Sequence, residues 1–257
     1  MGGGLAPPLP RLTRAAMFLR LLAIQGAWNY ETLVGNGIGF SVEPALRLLP
    51  GGVDGDKYRA ALARQSQYFN THPYLASVAV GALARVELDE EDPGKIERFR
   101  TALCGPLGAT GDRLVWAAWL PFSVLLGMLA FGMGAGPRTT VLTFLGIYNV
   151  GHLALRAWGL RVGYAQGMHV ARSLGTPVLR SGSQWVSRAG ALLAGTAIPL
   201  AIVRGAGESA DRTLLAGLLI AVGLGGLAVS RLHGRYELWK WSLGILTLIA
   251  LAAMVRS

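Results

Sequence analysis

Gly105-Pro106-Leu107-Gly108-Ala109-Thr110-Gly111-Asp112 stands just before the first long apolar run, Leu114 to Pro137, in which no charged residue occurs. Proline lacks the backbone donor that a helix interior uses, and the three glycines favour irregular backbone, so the stretch predicts a break between helices. The run behind it is long enough to cross a bilayer, which takes about 20 residues. Irregular backbone and a carboxylate at a membrane boundary are tolerated where protein or water satisfies them, as in broken-helix transporters. A membrane protein with a polar pathway is the expectation.

Composition agrees. Charged residues make up 15% of the 257-residue chain, against about 25% in soluble domains. Apolar residues reach 52%, and glycine, which lets membrane helices approach closely, numbers 36. The single Cys104 excludes an internal disulfide and has no cysteine partner for a metal site, so it reads as a small packing residue. The net charge of +10 is unevenly held: residues 1–112 carry eleven basic and eleven acidic residues, residues 113–257 thirteen and three. The excess basic residues lie between apolar runs, where orientation and anionic lipid explain them better than nucleic acid.

Working outward, residues 1–10 read as an uncharged Gly/Pro-rich leader without a secretory cleavage pattern. Residues 11–112 read as amphipathic and re-entrant helices. Helical periodicity runs from Arg11 to about Val34, then Gly35-Asn36-Gly37-Ile38-Gly39 interrupts it. Short helices follow over Val42–Leu49, Asp54–Phe69 and Lys95–Cys104. Tyr74–Val86 is apolar but too short for an ordinary span. Residues 113–257 form a transmembrane helical region with about five spans, Leu114–Gly136, Thr139–Leu160, Trp185–Val203, Leu214–Val229 and Leu238–Val255. Arginine-rich loops after the second and fourth spans predict a cytoplasmic start and an outside C-terminus. The fold class is therefore an all-α polytopic membrane protein, broken in its N-terminal half.

Several polar residues lie in apolar surroundings. Asn149, His152 and Arg156 share one helix face, which suits an interhelical hydrogen bond or a pathway lining. Gly159, Gly163 and Gly167 form a small-residue ridge for close packing within or between subunits. Asp112 is either a helix N-cap or a polar anchor beside the break. Trp28, Asn29 and Glu31 combine aromatic, amide and carboxylate groups, which suit either sugar hydroxyls or interfacial anchoring. His72, before Pro73, reads as a helix-ending hydrogen-bond partner. The four histidines fall in separate elements, so no metal site or cofactor is expected, and no catalytic motif occurs.

Four stretches resemble the IID membrane component of mannose-type sugar phosphotransferase systems. They are Phe18-Leu19-Arg20 through Gln25-Gly26-Ala27-Trp28-Asn29-Tyr30-Glu31; Phe69-Asn70-Thr71-His72-Pro73-Tyr74; Gly105 through Asp112; and Asn149 through Arg156, with Tyr164 and Gly167. They follow the family's order and spacing across roughly residues 17–175. The resemblance implies a multi-pass permease subunit of the cytoplasmic (inner) membrane that pairs with a IIC subunit to carry a hexose. Cytoplasmic IIA and IIB partners would relay phosphate from phosphoenolpyruvate, IIB phosphorylating the sugar, so this chain would not itself be an enzyme. Trp28, Asn29, Glu31, Asn70, His72, Asp112 and Asn149 are then the candidates for the sugar path or partner contact. Two positions depart from the family: Arg113, where a small residue or proline is usual, and Leu120, where an arginine commonly precedes the proline. They support the alternative of a IID-like scaffold or regulatory protein without transport.

Overall fold

The computed structural model describes residues 8–171 and 177–206. Its helices are α1 (Arg11–Leu22), α2 (Gly35–Leu46), α3 (Asp56–Gln65), α4 (Ala76–Leu88), α5 (Pro93–Gly111), α6 (Leu120–Gly132), α7 (Pro137–Gln166) and α8 (Pro177–Ala206). A π-helical segment, Asp112–Trp119, joins α5 to α6. Among the described residues extended pairing is limited to two isolated bridges, Asn29 with Leu33 and Leu33 with Phe69.

The core is built round α4. All of its residues except Arg85 and Leu88 are buried. Met17, Leu21, Ile38, Leu46, Phe69, Ile96 and Leu107 from the surrounding elements complete it. Each such side chain contributes about 1.5–3 kcal/mol by leaving water. The short apolar run that could not span a bilayer is thus an internal helix. Its partner is α7, and the contact is backbone to backbone. A Cβ on Gly81 would stand 2.3 Å from the Leu160 carbonyl oxygen, and one on Gly163 would stand 2.2 Å from that of Val78. Gly159 meets Ser77 Oγ in the same way, while Gly167 ends α7 with φ +50°.

Two buried carboxylates bind the outer helices to this core. Glu43 on α2 accepts from Arg20 Nη1 of α1 at 2.6 Å, Arg47 Nε at 2.6 Å and Tyr58 Oη of α3 at 2.8 Å. Burial would raise its pKa, but bonds from Arg47, Tyr58 and Arg20 outweigh that and hold the carboxyl below its ordinary value. Glu87 on α4 accepts from Arg64 at 3.0 and 2.8 Å and from Gln65 at 2.6 Å. Arg100 on α5 donates to the Tyr68 carbonyl at 2.7 Å and lies over the Phe69 ring. The glycine-rich stretch at 35–39, expected to interrupt helix, is instead the first turn of α2, because its bare backbone packs directly on Ile24 and Gln67.

The break expected at 105–112 is not there. Helix runs without interruption from Pro93 to Gly132. Pro106 lies inside α5 on its exposed side. Gly111 is required by contact: a Cβ there would stand 2.2 Å from His72 Cβ. Packing against the loop before α4 thus offsets the helix-propensity cost of about 1 kcal/mol at Gly111. Irregularity appears one turn later, as the π segment ahead of Pro121. Asp112 accordingly has no helix start to cap.

Among the described residues two stretches are long and apolar enough to cross a membrane, Pro93–Gly132 and Ser181–Gly205. Only 22% and 11% of their most apolar windows are buried within the chain, so these helices present apolar surface outward. Of the five expected spans, Leu114–Gly136 and Trp185–Val203 fall on these two stretches. α7 has the length, with 30 residues, but carries Asn149, His152, Arg156 and Arg161 and does not qualify. Leu214–Val229 and Leu238–Val255 lie outside the described residues. α6 packs on α8 where Gly132 meets Leu200, and Arg204 bonds the Phe131 carbonyl.

Gly163→Val should lower the melting temperature of the full chain in detergent by several degrees. Its side chain would collide with a carbonyl that cannot yield, which costs more than the ~1–3 kcal/mol of ordinary overpacking. Gly146→Ala, with nothing within 4 Å, should leave it unchanged or raise it slightly. An unaltered melting temperature for Gly163→Val would remove the close α4–α7 contact from this account.

Candidate functional site

Three elements meet beside the N-terminus of α4: the loop Asn70–Tyr74, the π segment and one face of α7. Proline at 73 keeps His72 out of helical geometry, so the chain turns there before α4 begins. The His72 carbonyl accepts from Ala76 N at 2.9 Å, and its Nδ1 accepts from Tyr74 N at 3.2 Å. An accepting Nδ1 leaves the proton of a neutral ring on Nε2. That Nε2 is buried and without a partner among the described residues.

α7 contributes Phe144, Tyr148, His152 and Arg156 at four-residue intervals, hence along one face. Tyr148 Oη lies 2.8 Å from Tyr74 Oη. The His152 ring stacks on Tyr74 with centroids 4.8 Å apart, and the Arg156 guanidinium lies 4.7 Å from the Tyr74 ring centre. Arg156, only 4% exposed, also bonds the Leu21 carbonyl at the end of α1, and has no carboxylate partner among the described residues. From the π segment, Trp116 meets the edge of His72 at 5.4 Å, and Trp119 Nε1 donates to the Tyr148 carbonyl at 3.3 Å. Gly151 makes room for the Trp119 indole.

A pair of unused ring nitrogens results. Asn149 Oδ1 lies 2.9 Å from His152 Nε2, so with the amide oxygen accepting, that nitrogen donates. His152 Nδ1 is then a buried acceptor without a partner among the described residues. His72 offers a donor and His152 an acceptor, and both rings touch Tyr74. Buried polar groups are normally paired, so unused ones beside aromatic faces mark a place where a polyhydroxylated ligand gains hydrogen bonds.

The candidate residues from the sequence are only partly brought together. His72 and Asn149 belong to the cluster, and Asp112, exposed at the head of the π segment, acts on His72 through its charge. Trp28, Asn29 and Glu31 lie on a separate exposed turn. Asn29 Oδ1 accepts from the amides of Glu31 and Thr32, both at 2.9 Å, which makes it a turn-former, and Trp28 packs edge-on with Tyr30. The turn is nevertheless tied to the cluster loop, since Phe69 N donates to Thr32 O and Val34 N to Phe69 O, each at 3.1 Å. Asn70 is exposed on that loop. Sequence reasoning misses Tyr74, Trp116, Trp119 and Tyr148 as members of the site; the spacing of 144, 148, 152 and 156 is a signal for Tyr148 alone. Among the described residues no group of three metal-ligating side chains occurs.

A family model described as the mannose/fructose/sorbose family IID component of the phosphotransferase system matches residues 9–203. The mannose-specific EIID component of Escherichia coli strain K12 is 30% identical over 190 residues, 71% of this chain and 65% of that protein. The sorbose-specific EIID component of Klebsiella pneumoniae is 30% identical over 191 residues, 71% of this chain and 67% of its own length. The fructose permease IID component of Bacillus subtilis is 32% identical over 174 residues, 64% and 61% respectively. The matched region thus spans about two thirds of these relatives. Two solved structures share the fold at 24% identity, each match covering 97% of this chain and 98% of the other. One is described as a membrane protein, with a TM-score of 0.69; the other is a chain of the mannose transporter ManYZ in complex with microcin E492, at 0.57.

Burial, joined by the charge of Arg156 and opposed by that of Asp112, pushes the His72 pKa from 6.5 down to about 4. The unfolded chain takes up this proton below pH 6.5, and the folded chain only near pH 4. The associated stability is therefore full above pH 6.5 and is lost as pH falls toward about 4. The melting temperature in detergent should drop across that interval, and His72→Gln should flatten the drop. Equal slopes in the two proteins would show that His72 is not the group responsible.

Proposed function

The chain belongs to the mannose/fructose/sorbose family of phosphotransferase-system IID components, and on that footing we propose that it is the IID subunit of a sugar permease. It is an integral membrane protein, as its relatives and structural neighbours are. In this proposal it crosses the cytoplasmic membrane several times and pairs with a IIC subunit. The pair moves a hexose inward, and a cytoplasmic IIB protein, charged by IIA, phosphorylates it. The phosphotransfer chemistry then lies on the partners. Relatives named for mannose, sorbose and fructose support a hexose as the substrate class.

The observation that carries the proposal is the pair of unpartnered ring nitrogens on His72 and His152 around Tyr74. A hexose offers an apolar C–H face to an aromatic ring and hydroxyls that both donate and accept. Tyr74 and Trp116 would supply the platform, His72 the donor and His152 the acceptor. Asp112 and Asn149 would stand at the outer edge of the path. Trp28, Glu31 and Asn70, exposed on the two joined loops, would face the IIC subunit, with Asn29 holding the first loop in shape.

The alternative of a scaffold or regulator draws on Arg113, which is exposed and bonds the Ala109 carbonyl, and on Leu120 before Pro121. Uptake of labelled hexose into membrane vesicles with IIC, IIA and IIB present separates the two. His152→Leu should cut uptake about tenfold, the size of one lost hydrogen bond of roughly 1.4 kcal/mol. Asp112→Asn should cut it less, and both variants should still co-purify with IIC. Wild-type uptake in both variants would take the cluster out of the path. An unaltered chain that binds IIC without supporting uptake would establish the scaffold.

A further inference from the structure

A groove between α1 and α7, on neither the cluster nor its loops, has a volume of about 210 Å3. Pro8, Leu9, Leu160 and Ala165 give it an apolar floor, and Arg14 and Arg161 stand in its wall. Both arginines are exposed and form no ion pair among the described residues. Neither helix can supply a counter-ion: α1 holds no acidic residue, and none occurs in the sequence between Asp112 and Glu208. Elsewhere on its surface α1 exposes Leu12 at 85% and Leu19 at 64%, apolar area that water would disfavour.

From this geometry we infer that the groove seats one anionic phospholipid. The phosphodiester lies between the Arg14 and Arg161 guanidiniums, whose planar donors match phosphate oxygens. An acyl chain follows Leu9, Leu160 and Ala165. Two guanidiniums without an ion-pair partner among the described residues favour an anion, and the apolar floor beside them favours one that carries hydrocarbon. A soluble phosphate satisfies only the first demand. The seat pins α1 against α7 at the membrane surface and is separate from the sugar path proposed above.

The test uses the full chain in detergent, titrated with dioleoylphosphatidylglycerol or dioleoylphosphatidylcholine and read by native mass spectrometry. Phosphatidylglycerol should bind the unaltered chain about tenfold more tightly than phosphatidylcholine. Arg14→Gln with Arg161→Gln should abolish that preference. Ala165→Trp, which fills the groove and keeps both charges, should weaken phosphatidylglycerol by a similar factor. Arg98→Gln with Arg138→Gln removes the same charge from exposed positions elsewhere and should leave the preference intact. The inference is overturned if either groove variant binds as the unaltered chain does, or if the control pair loses the preference equally. Displacement of the lipid by glycerol phosphate alone would assign the groove to a soluble phosphate and overturn it as well.

Discussion

Everything in the described molecule depends on how closely α4 and α7 lie. Gly81 on one helix and Gly159 and Gly163 on the other allow backbone to touch backbone. Ordinary side chains would hold the axes about 8–10 Å apart. That contact sets where the outer two thirds of α7 stand relative to the loop in front of α4. Tyr148, His152 and Arg156 meet Tyr74 because Gly159 and Gly163, further along the same helix, are seated against Ser77 and Val78. The cluster is assembled by distant packing, and its own hydrogen bonds fix only its details.

The N-terminal half supplies the frame in which that packing occurs. Its charges balance, eleven against eleven, and the pairing is local: each ion pair in the described structure falls between Arg20 and Lys95. Glu43 and Glu87 each serve several donors, so α1, α2, α3 and α4 are cross-tied around a small apolar centre. Buried carboxylates are costly alone, and shared among arginine, tyrosine and glutamine they fix register instead. The apolar helices α6 and α8 extend from this frame with most of their surface turned outward.

Much of this was legible in the residues. Apolar composition and scarce charge pointed to lipid, and Gly159, Gly163, Asn149, His152 and Arg156 stood out as out of place in an apolar helix. The break did not survive, because propensity is a local quantity. Glycine and proline at 105–111 weaken a helix in isolation, but Gly111 lets it lie directly against His72, a tertiary contact that local propensity does not register. The aromatic members were hidden for a different reason. Tryptophans near the ends of apolar runs serve as interfacial anchors so often that nothing in the sequence marks Trp116 or Trp119 as members of a site. Only three-dimensional adjacency joins Trp116 to His72 and Trp119 to Tyr148. Which arginine meets Glu43 was likewise invisible, since the chain offers many basic residues and no spacing rule across separate helices.

The π segment has a geometrical corollary. A wider turn holds one residue more than an α turn, and each residue of a regular helix rotates the next by about 100°. Asp112–Trp119 therefore acts as a phase shifter. It resets the azimuth of every side chain in α6 relative to α5 while the helical hydrogen bonding continues from Pro93 to Gly132. Which flank of that long rod greets hydrocarbon, and which greets α7 and α8, is decided by those eight residues rather than by the apolar stretch they precede.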